Sequence, residues 1–380
     1  MTRGSIRLGR LLGIPVTINP SWFLALAFVV AVLGWQVYPV ALPMEPAALH
    51  WAMAVVSGVL FFTSVVLHEL AHSLVARAYG IRVREITLFV FGGVAQLTGE
   101  PDRPRGEFLM AVAGPAASVG LALLFLGVWL ATGARDDAAG VVWRWLVVMN
   151  AAVGVFNMLP GYPMDGGRVF RSLLWGLTGN HRLATTVASR TGQALALGFM
   201  ALGVLGLLGA GLLPFRVDQF TGLWLIVLGL FLQGLSRSSL DQLRLLDRLR
   251  RYRADQIMTS EVPVVYEHAT IRETMEEARL RGGVEHVFVS DGDRFSGLLS
   301  VADLLAIPAV NWDLFTARDA MVHAERLEPA LAHEDAATLL QRMEARDLWH
   351  MPVVQDGRVV GLVARRNLVR LIHRLGGGGA

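Results

Sequence analysis

The chain is 380 residues long, 54% hydrophobic and only 17% charged, with a formal net charge of +3. A soluble domain carries about 25% charged residues, so this average argues against an ordinary cytosolic enzyme. There is no cysteine and every one of the 34 basic residues is arginine, which excludes disulfide frameworks, Cys-ligated metals, thiol nucleophiles, P-loop lysines and Schiff-base lysines.

Charge is unevenly distributed. Residues 1–236 contain 15 Arg and 10 Asp or Glu, whereas residues 237–380 contain 19 Arg and 21 Asp or Glu. The first part has the composition of a membrane protein and the second that of a water-soluble one. No basic patch with interleaved aromatics accompanies the arginines, so a nucleic-acid partner is not expected. Crossing the hydrocarbon takes about 20 mostly apolar residues. Six stretches approach that length: 21–40, 51–79, 108–131, 141–159, 191–214 and 220–236. Arginines gather before the first, between the second and third, between the fourth and fifth, and after the sixth, while the alternate loops hold few. The positive-inside rule then predicts a multi-pass protein of the plasma membrane with both termini cytoplasmic. With no small-residue cleavage site after the first apolar run, the N-terminal arm reads as retained.

Ionisable side chains at membrane depth are costly and by default mark a functional site. The second stretch carries three of them in Val65-Val66-Leu67-His68-Glu69-Leu70-Ala71-His72. On a helix His68 and His72 lie one turn apart on one face, with Glu69 about 100° round the axis. This HExxH spacing supplies two metal ligands and a general base within reach of a water on the metal. A buried polar network or a proton relay is the competing reading, and the apolar setting weighs against both. A catalytic zinc takes three protein ligands and keeps an open position. His50 and His181 fall on opposite sides of the bilayer, and neither suits. Asp165 lies in Asn157-Met158-Leu159-Pro160-Gly161-Tyr162-Pro163-Met164-Asp165-Gly166-Gly167, whose prolines and glycines forbid a straight helix. Broken backbone at this depth is tolerated where it lines a cavity, so the segment is expected to fold back toward the second span. Spacing alone leaves two roles open for Asp165: third ligand, or cap of a helix beginning near Gly166.

HELAH on a transmembrane helix followed by NMLPGYPMDGG resembles the site-2 protease family of intramembrane zinc metalloproteases. That family pairs HExxH with a later N-x-x-P-x-x-x-x-D-G element, which falls here on Asn157, Pro160, Asp165 and Gly166. Arg10 to Val16, Phe91 to Ala95 and Ala113 to Ser118 also match segments usual in it, so the likeness covers residues 5–235. The resemblance implies His68, His72 and Asp165 as ligands of one Zn2+ per chain, with Glu69 as general base of a metal-assisted peptide hydrolysis. Asn157 then either steadies the substrate backbone or developing oxyanion, or makes a helix-packing hydrogen bond. Residues 83–98 alternate and are rich in β-formers, which predicts a hairpin around Gly92-Gly93. An exposed strand edge there would unwind and hold a substrate helix. The Gly114-Pro115 pair reads as helix-packing geometry rather than chemistry.

After an Arg- and Leu-rich connector (237–253) the chain repeats itself with a period of 63–64 residues. Ile257-Met258-Thr259 answers Ala320-Met321-Val322, His286 answers His350, and Gly297 to Leu304 answers Gly361 to Leu368. Each unit reads as strand, helix, two strands about an Asp-Gly turn, and helix. The duplication resembles a tandem pair of cystathionine-β-synthase-type (CBS) modules, at 254–309 and 317–373. In that family a Gly-h-x-[Ser/Thr]-x-x-Asp segment binds adenine nucleotide, which implies Ser300 near phosphate and Asp303 on the ribose hydroxyls. The second unit has Ala364 and Asn367 in these places, so at most one well-formed site for ATP or another adenine nucleotide is expected. The competing reading is a pair kept for homodimerisation or partner docking. Arg248, Arg250, Arg251 and Arg253 suit anionic headgroups or a plain solvated helix face, and the Gly376–Gly379 tail reads as a disordered end.

The expected fold is a membrane all-α bundle of about six transmembrane helices with a short β-hairpin (1–236), a juxtamembrane linker (237–253) and a soluble α/β tandem CBS domain. The expected function is intramembrane proteolysis of membrane-anchored regulatory proteins, such as pro-sigma or anti-sigma factors, governed by the CBS pair. Lacking an inserted PDZ-like domain, the chain resembles the sporulation-type, pro-sigma-processing branch. Expected partners are that substrate, the lipid bilayer and, through the CBS pair, a second copy. Two other classes compete: a CBS-gated transporter or channel, and a nucleotide-sensing membrane scaffold. Transporters commonly carry internal repeats among their spans, and none is evident here; a pseudoprotease would lack a motif residue.

Overall fold

The computed structural model describes residues 5–90, 92–209, 218–281, 284–292 and 294–376. Phe91, Arg216, the end of the fifth apolar stretch and the Gly377–Gly379 tail lie outside them. The chain divides into two units, Met1–Asp241 and Gln242–Ala380.

The first unit begins with β1 (Ile6–Leu11) and β2 (Ile14–Ile18). Next come α1 (Ser21–Val32), a π-helical turn (Leu33–Val37), α2 (Tyr38–Ala41) and α3 (Ala47–Ala78). A hairpin of β3 (Val83–Phe89) and β4 (Gly92–Leu97) follows, then α4 (Pro104–Ala131) and α5 (Ala138–Asn157). The rest is α6 (Asp165–Thr178), α7 (His181–Leu207) and α8 (Gln219–Leu249). Among the described residues six helical stretches are long and apolar enough to cross a membrane, with α1 to α2 counting as one and α6 as none.

The expected hairpin is half of a larger sheet, in order β1-β2-β3-β4. The arm before α1, expected as a charged flank with a family-like segment at Arg10 to Val16 and not as strands, supplies two of them. Leu12 and Gly13 take positive φ of 49° and 83°, the left-handed pair that closes a tight hairpin between right-twisted strands. Gly92 and Gly93 pair with Phe89 and Leu88, so they lie within β4 rather than at the turn. One face of the sheet packs on α3: Val16, Ile18 and Leu88 meet Val66, and Ile14 and Ile86 meet Leu70. Val66 and Leu70 bracket His68, so this contact sets the sheet beside the HExxH turn, with β4 as an outer strand.

Helices in lipid gain little from apolar burial against one another and pack through small residues. A Cβ on Gly154 of α5 would stand 3.2 Å from Val119 of α4, and one on Gly203 of α7 would stand 2.5 Å from the Gly222 carbonyl of α8. Arg144, near the start of α5, pairs with Asp136 at 2.8 Å and lies over Trp129, which satisfies its charge at the end of the span. Most of the expected linker is helical, because α8 continues past Arg237 to Leu249. Its Leu245, Leu246 and Leu249 pack into the core of the second unit, so helix formation does not stop where apolar composition does.

The second unit contains α9 (Ala254–Ile257), β5 (Val264–Tyr266), α10 (Ile271–Leu280), β6 (His286–Asp291), β7 (Arg294–Ser300) and α11 (Val301–Leu305). It continues with α12 (Ala317–Ala320), β8 (Val322–His323), β9 (Ala330–Leu331), α13 (Ala336–Arg346), β10 (His350–Gln355), β11 (Arg358–Ala364) and α14 (Arg365–Gly376). The duplication extends to detail. Gly297 pairs with Val289 and Gly361 with Val353, and a register shift follows in each hairpin. The lead segments are exchanged: Thr259 bridges to Leu362, while β8 pairs with β7. Ala254, Ile257 and Met258 accordingly join the core of the second repeat, and Ala317 and Met321 that of the first.

Candidate metal centre

α3 has no Pro or Gly from Val59 to Ala78, and its regular turn sets His68 directly beneath His72. Both are buried, at 4% and 7% exposure. The Met158–Met164 segment turns back as expected and delivers Asp165 as the first residue of α6. The N-cap of α6 is Met164, without a side-chain cap bond, so Asp165 does not act as the cap. Its Oδ2 lies 3.1 Å from His68 Nε2 and 3.2 Å from His72 Nε2, which are themselves 3.2 Å apart. Glu69 is half-buried beside this triangle, with the Ala95 main chain of β4 as a hydrogen-bonding neighbour.

The histidine rings are fixed from behind by α4. His72 Nδ1 lies 2.6 Å from the Met110 carbonyl, which only accepts, so Nδ1 carries the proton and the neutral ring presents a lone pair at Nε2. His68 Nδ1 is held by Ser118 Oγ at 2.8 Å. Oriented imidazoles with the outer nitrogen hydrogen-bonded are the usual support of a metal ligand. Three lone-pair donors facing one another at 3.1–3.2 Å need a cation or proton between them. Tetrahedral zinc with ligands at about 2.0–2.1 Å places those ligands about 3.3 Å apart, so the donor set and its spacing fit zinc.

Two glycines make the room. A Cβ on Gly114 of α4 would strike Nε2 of both histidines, and one on Gly93 of β4 would stand 2.6 Å from Glu69 Cγ. Gly114 thus has a steric role at the centre that the packing reading of Gly114-Pro115 missed. Ser118 and Met110 escaped the sequence reading as well. The signal available for all three was their spacing: Met110, Gly114 and Ser118 stand four residues apart, which puts them on one face of α4. Asn157 ends α5, half-buried, and among the described residues no hydrogen bond joins it to His68, His72 or Asp165.

In the second unit Ser300 closes β7 opposite His286, and Ala364 closes β11 opposite His350. Asp303 is exposed on α11, and its charge is felt by both His286 and His350. Their rings are 4.0 Å apart. Asn367, the counterpart of Asp303, donates from Nδ2 to the Ile257 carbonyl at 2.8 Å.

The sequence profile of Peptidase family M50 matches residues 57–134 and 130–199, and that of the CBS domain matches 254–309 and 317–374. A Synechocystis protein named as a zinc metalloprotease is 32% identical across 97% of this chain and 96% of its own length. The chain belongs to peptidase family M50. A second relative, named as the zinc metalloprotease Rip3 of Mycobacterium tuberculosis, is 30% identical across 97% of this M50 chain and 93% of its own. The solved site-2 protease from Methanocaldococcus jannaschii is 28% identical, covers 62% of this chain and 94% of that one, and gives a TM-score of 0.43. This M50 member is a multi-pass membrane zinc metalloprotease of the site-2 type with a tandem CBS domain.

Proposed function

We propose that His68, His72 and Asp165 hold one catalytic Zn2+ and that Glu69 is the general base for cleavage of peptide bonds in membrane-anchored regulatory proteins. The observation that carries this reading is the convergence, within 3.1–3.2 Å, of donors from two helices, with Asp165 lying 97 positions from His68 and 93 from His72 in sequence. Bound there, the ion supplies Lewis acidity and an acidified water. Met110 and Ser118 keep both rings turned so that Nε2 faces inward. Glu69 takes the proton of the attacking water and delivers it to the leaving amine. The outer edge of β4 holds the substrate extended beside Glu69, and the Asn157 amide steadies its backbone. The arginine distribution supports placement in the plasma membrane with both termini, and so the CBS pair, in the cytoplasm. Substrates of that kind include pro-sigma and anti-sigma factors. Ser300 and Asp303 form the single adenine-nucleotide site, since Asn367 is already committed to the Ile257 carbonyl; the CBS pair also carries a homodimer contact.

Cleavage of a single-pass reporter by the wild type and by Glu69→Gln tests the protease, with zinc quantified in both. Zinc in both proteins and cleavage by the wild type alone is expected. Cleavage surviving in Glu69→Gln overturns the role of Glu69. Titrating ATP, ADP and AMP into the full chain by calorimetry tests the CBS site, and no heat with any of them removes the nucleotide from the account.

A further inference from the structure

One buried charged pair has no part in the chemistry above. Arg171 of α6 and Glu107 of α4 have side chains only 3% and 1% exposed. Arg171 Nε donates to Glu107 Oε1 at 2.5 Å, and its guanidinium lies 5.4 Å over the Tyr162 ring. A further nitrogen faces Glu100 at 3.4 Å. Glu107 Oε2 is buried without a partner among the described residues. Such a pair is poor evidence of stability, because apolar side chains of the same volume often serve as well.

Its position is more telling. The first turn of α6 is seated by Gly166 and Gly167, whose Cβ atoms would strike the main chain of Met158 and Gly161. Arg171 lies six residues beyond Asp165, about 9 Å along the axis. Two fixed points set the direction of a helix, and beyond the seated first turn the buried Arg171–Glu107 pair supplies a second, directional one. Glu107 shares one face of α4 with Met110, Gly114 and Ser118, at steps of three and four residues. The helix that receives Arg171 is therefore the one that orients both histidines.

We propose that the Arg171–Glu107 pair positions Asp165 against His68 and His72 by locking α6 to α4. Arg171 is a positioning residue, and its role rests on Asp165 being a zinc ligand. The planar guanidinium resists rotation at Glu107 in a way that a lysine ammonium does not.

The test uses the purified full chain in detergent, as wild type, Arg171→Lys, Glu107→Met with Arg171→Met, Asp165→Asn, and Leu146→Ala as a core control away from the site. Each is loaded with zinc and challenged with a chelator, and each is loaded with Co2+ for its visible absorption. The expected order of zinc loss is double methionine variant fastest, by about tenfold or more, then Arg171→Lys, then wild type. The double variant is expected to show an altered cobalt spectrum, with Leu146→Ala like the wild type in both readouts. Wild-type zinc retention and spectrum in the double variant, alongside their loss in Asp165→Asn, overturn the positioning role. If the double variant does not fold, the same unchanged behaviour in Arg171→Lys overturns it. Unchanged zinc retention and spectrum in Asp165→Asn would instead remove the ligand reading on which the inference rests.

Discussion

In the membrane unit two clusters of ionisable side chains are withdrawn from solvent, His68, His72 and Asp165 in one and Glu107 and Arg171 in another, while His50 is buried apart from both against the Leu42 carbonyl. In the CBS unit several ion pairs stand in the open, such as Arg272–Asp313 with side chains 48% and 60% exposed and Arg281–Glu277 at 63% and 33%, and the more sheltered Arg342–Glu334 still has side chains 32% and 14% exposed. Exposed pairs contribute little to stability, whereas each buried charge costs several kcal/mol unless geometry and hydrogen bonding compensate. The contrast teaches that charge in the lipid-facing unit is retained for placement and chemistry, and charge in the CBS unit mainly for solubility. In the CBS unit the buried His286 and the half-buried His350 face one another, and their surroundings disfavour the charged form of each. Burial, joined by the neighbouring His286, pushes His350 down to about 4, and burial pushes His286 down as well.

The largest effect that would break this contrast is at Gly114. Gly114→Ala puts a methyl group onto both Nε2 atoms and is expected to abolish zinc binding while the protein stays helical, as read by metal analysis and circular dichroism. Gly93→Val should separate base from metal: displacing Glu69 is expected to cost about 100-fold in cleavage rate with zinc content unchanged. Ser118→Ala leaves the ligands intact and frees one ring, so zinc affinity is expected to fall about 10- to 100-fold in a chelator competition. For the histidine pair the sign follows from folded values below the unfolded value of about 6.5. The unfolded chain takes up protons first, so CBS-unit stability should drop as pH falls from about 6.5 toward 4, seen as lower protection of the β10 amides against hydrogen exchange relative to their intrinsic rates at each pH. Arg272→Ala, the smallest change, is expected to leave both the melting temperature and the cleavage rate close to wild type, because the pair it breaks is open to solvent.

Much of this contrast is readable in the sequence because its signals are local. The i, i+4 histidines with the intervening Glu69 mark a helix face, and the prolines and glycines before Asp165 mark a broken one. The repeat from Met258 to Met321 and from Gly297 to Gly361 reveals two modules by simple comparison. What escapes depends on long-range contact. β1 and β2 are short, with β1 exposed throughout, and gain meaning only by pairing beside β3. The exchange of lead segments between the repeats cannot be read from a period. Gly114, Ser118 and Glu107 are ordinary members of an apolar helix until α3 and α6 are set against it. The arginines suggest a linker from residue 237, yet Leu245, Leu246 and Leu249 keep the helix amphipathic beyond that point.

The most direct measurement of the central claim is zinc K-edge X-ray absorption on the purified full chain, wild type and Asp165→Asn. The account predicts a wild-type shell of two imidazole nitrogens with oxygen ligands at about 2.0–2.1 Å, and a weakened or vacant shell in the variant. A wild-type zinc shell without imidazole, or one unchanged by Asp165→Asn, would contradict it.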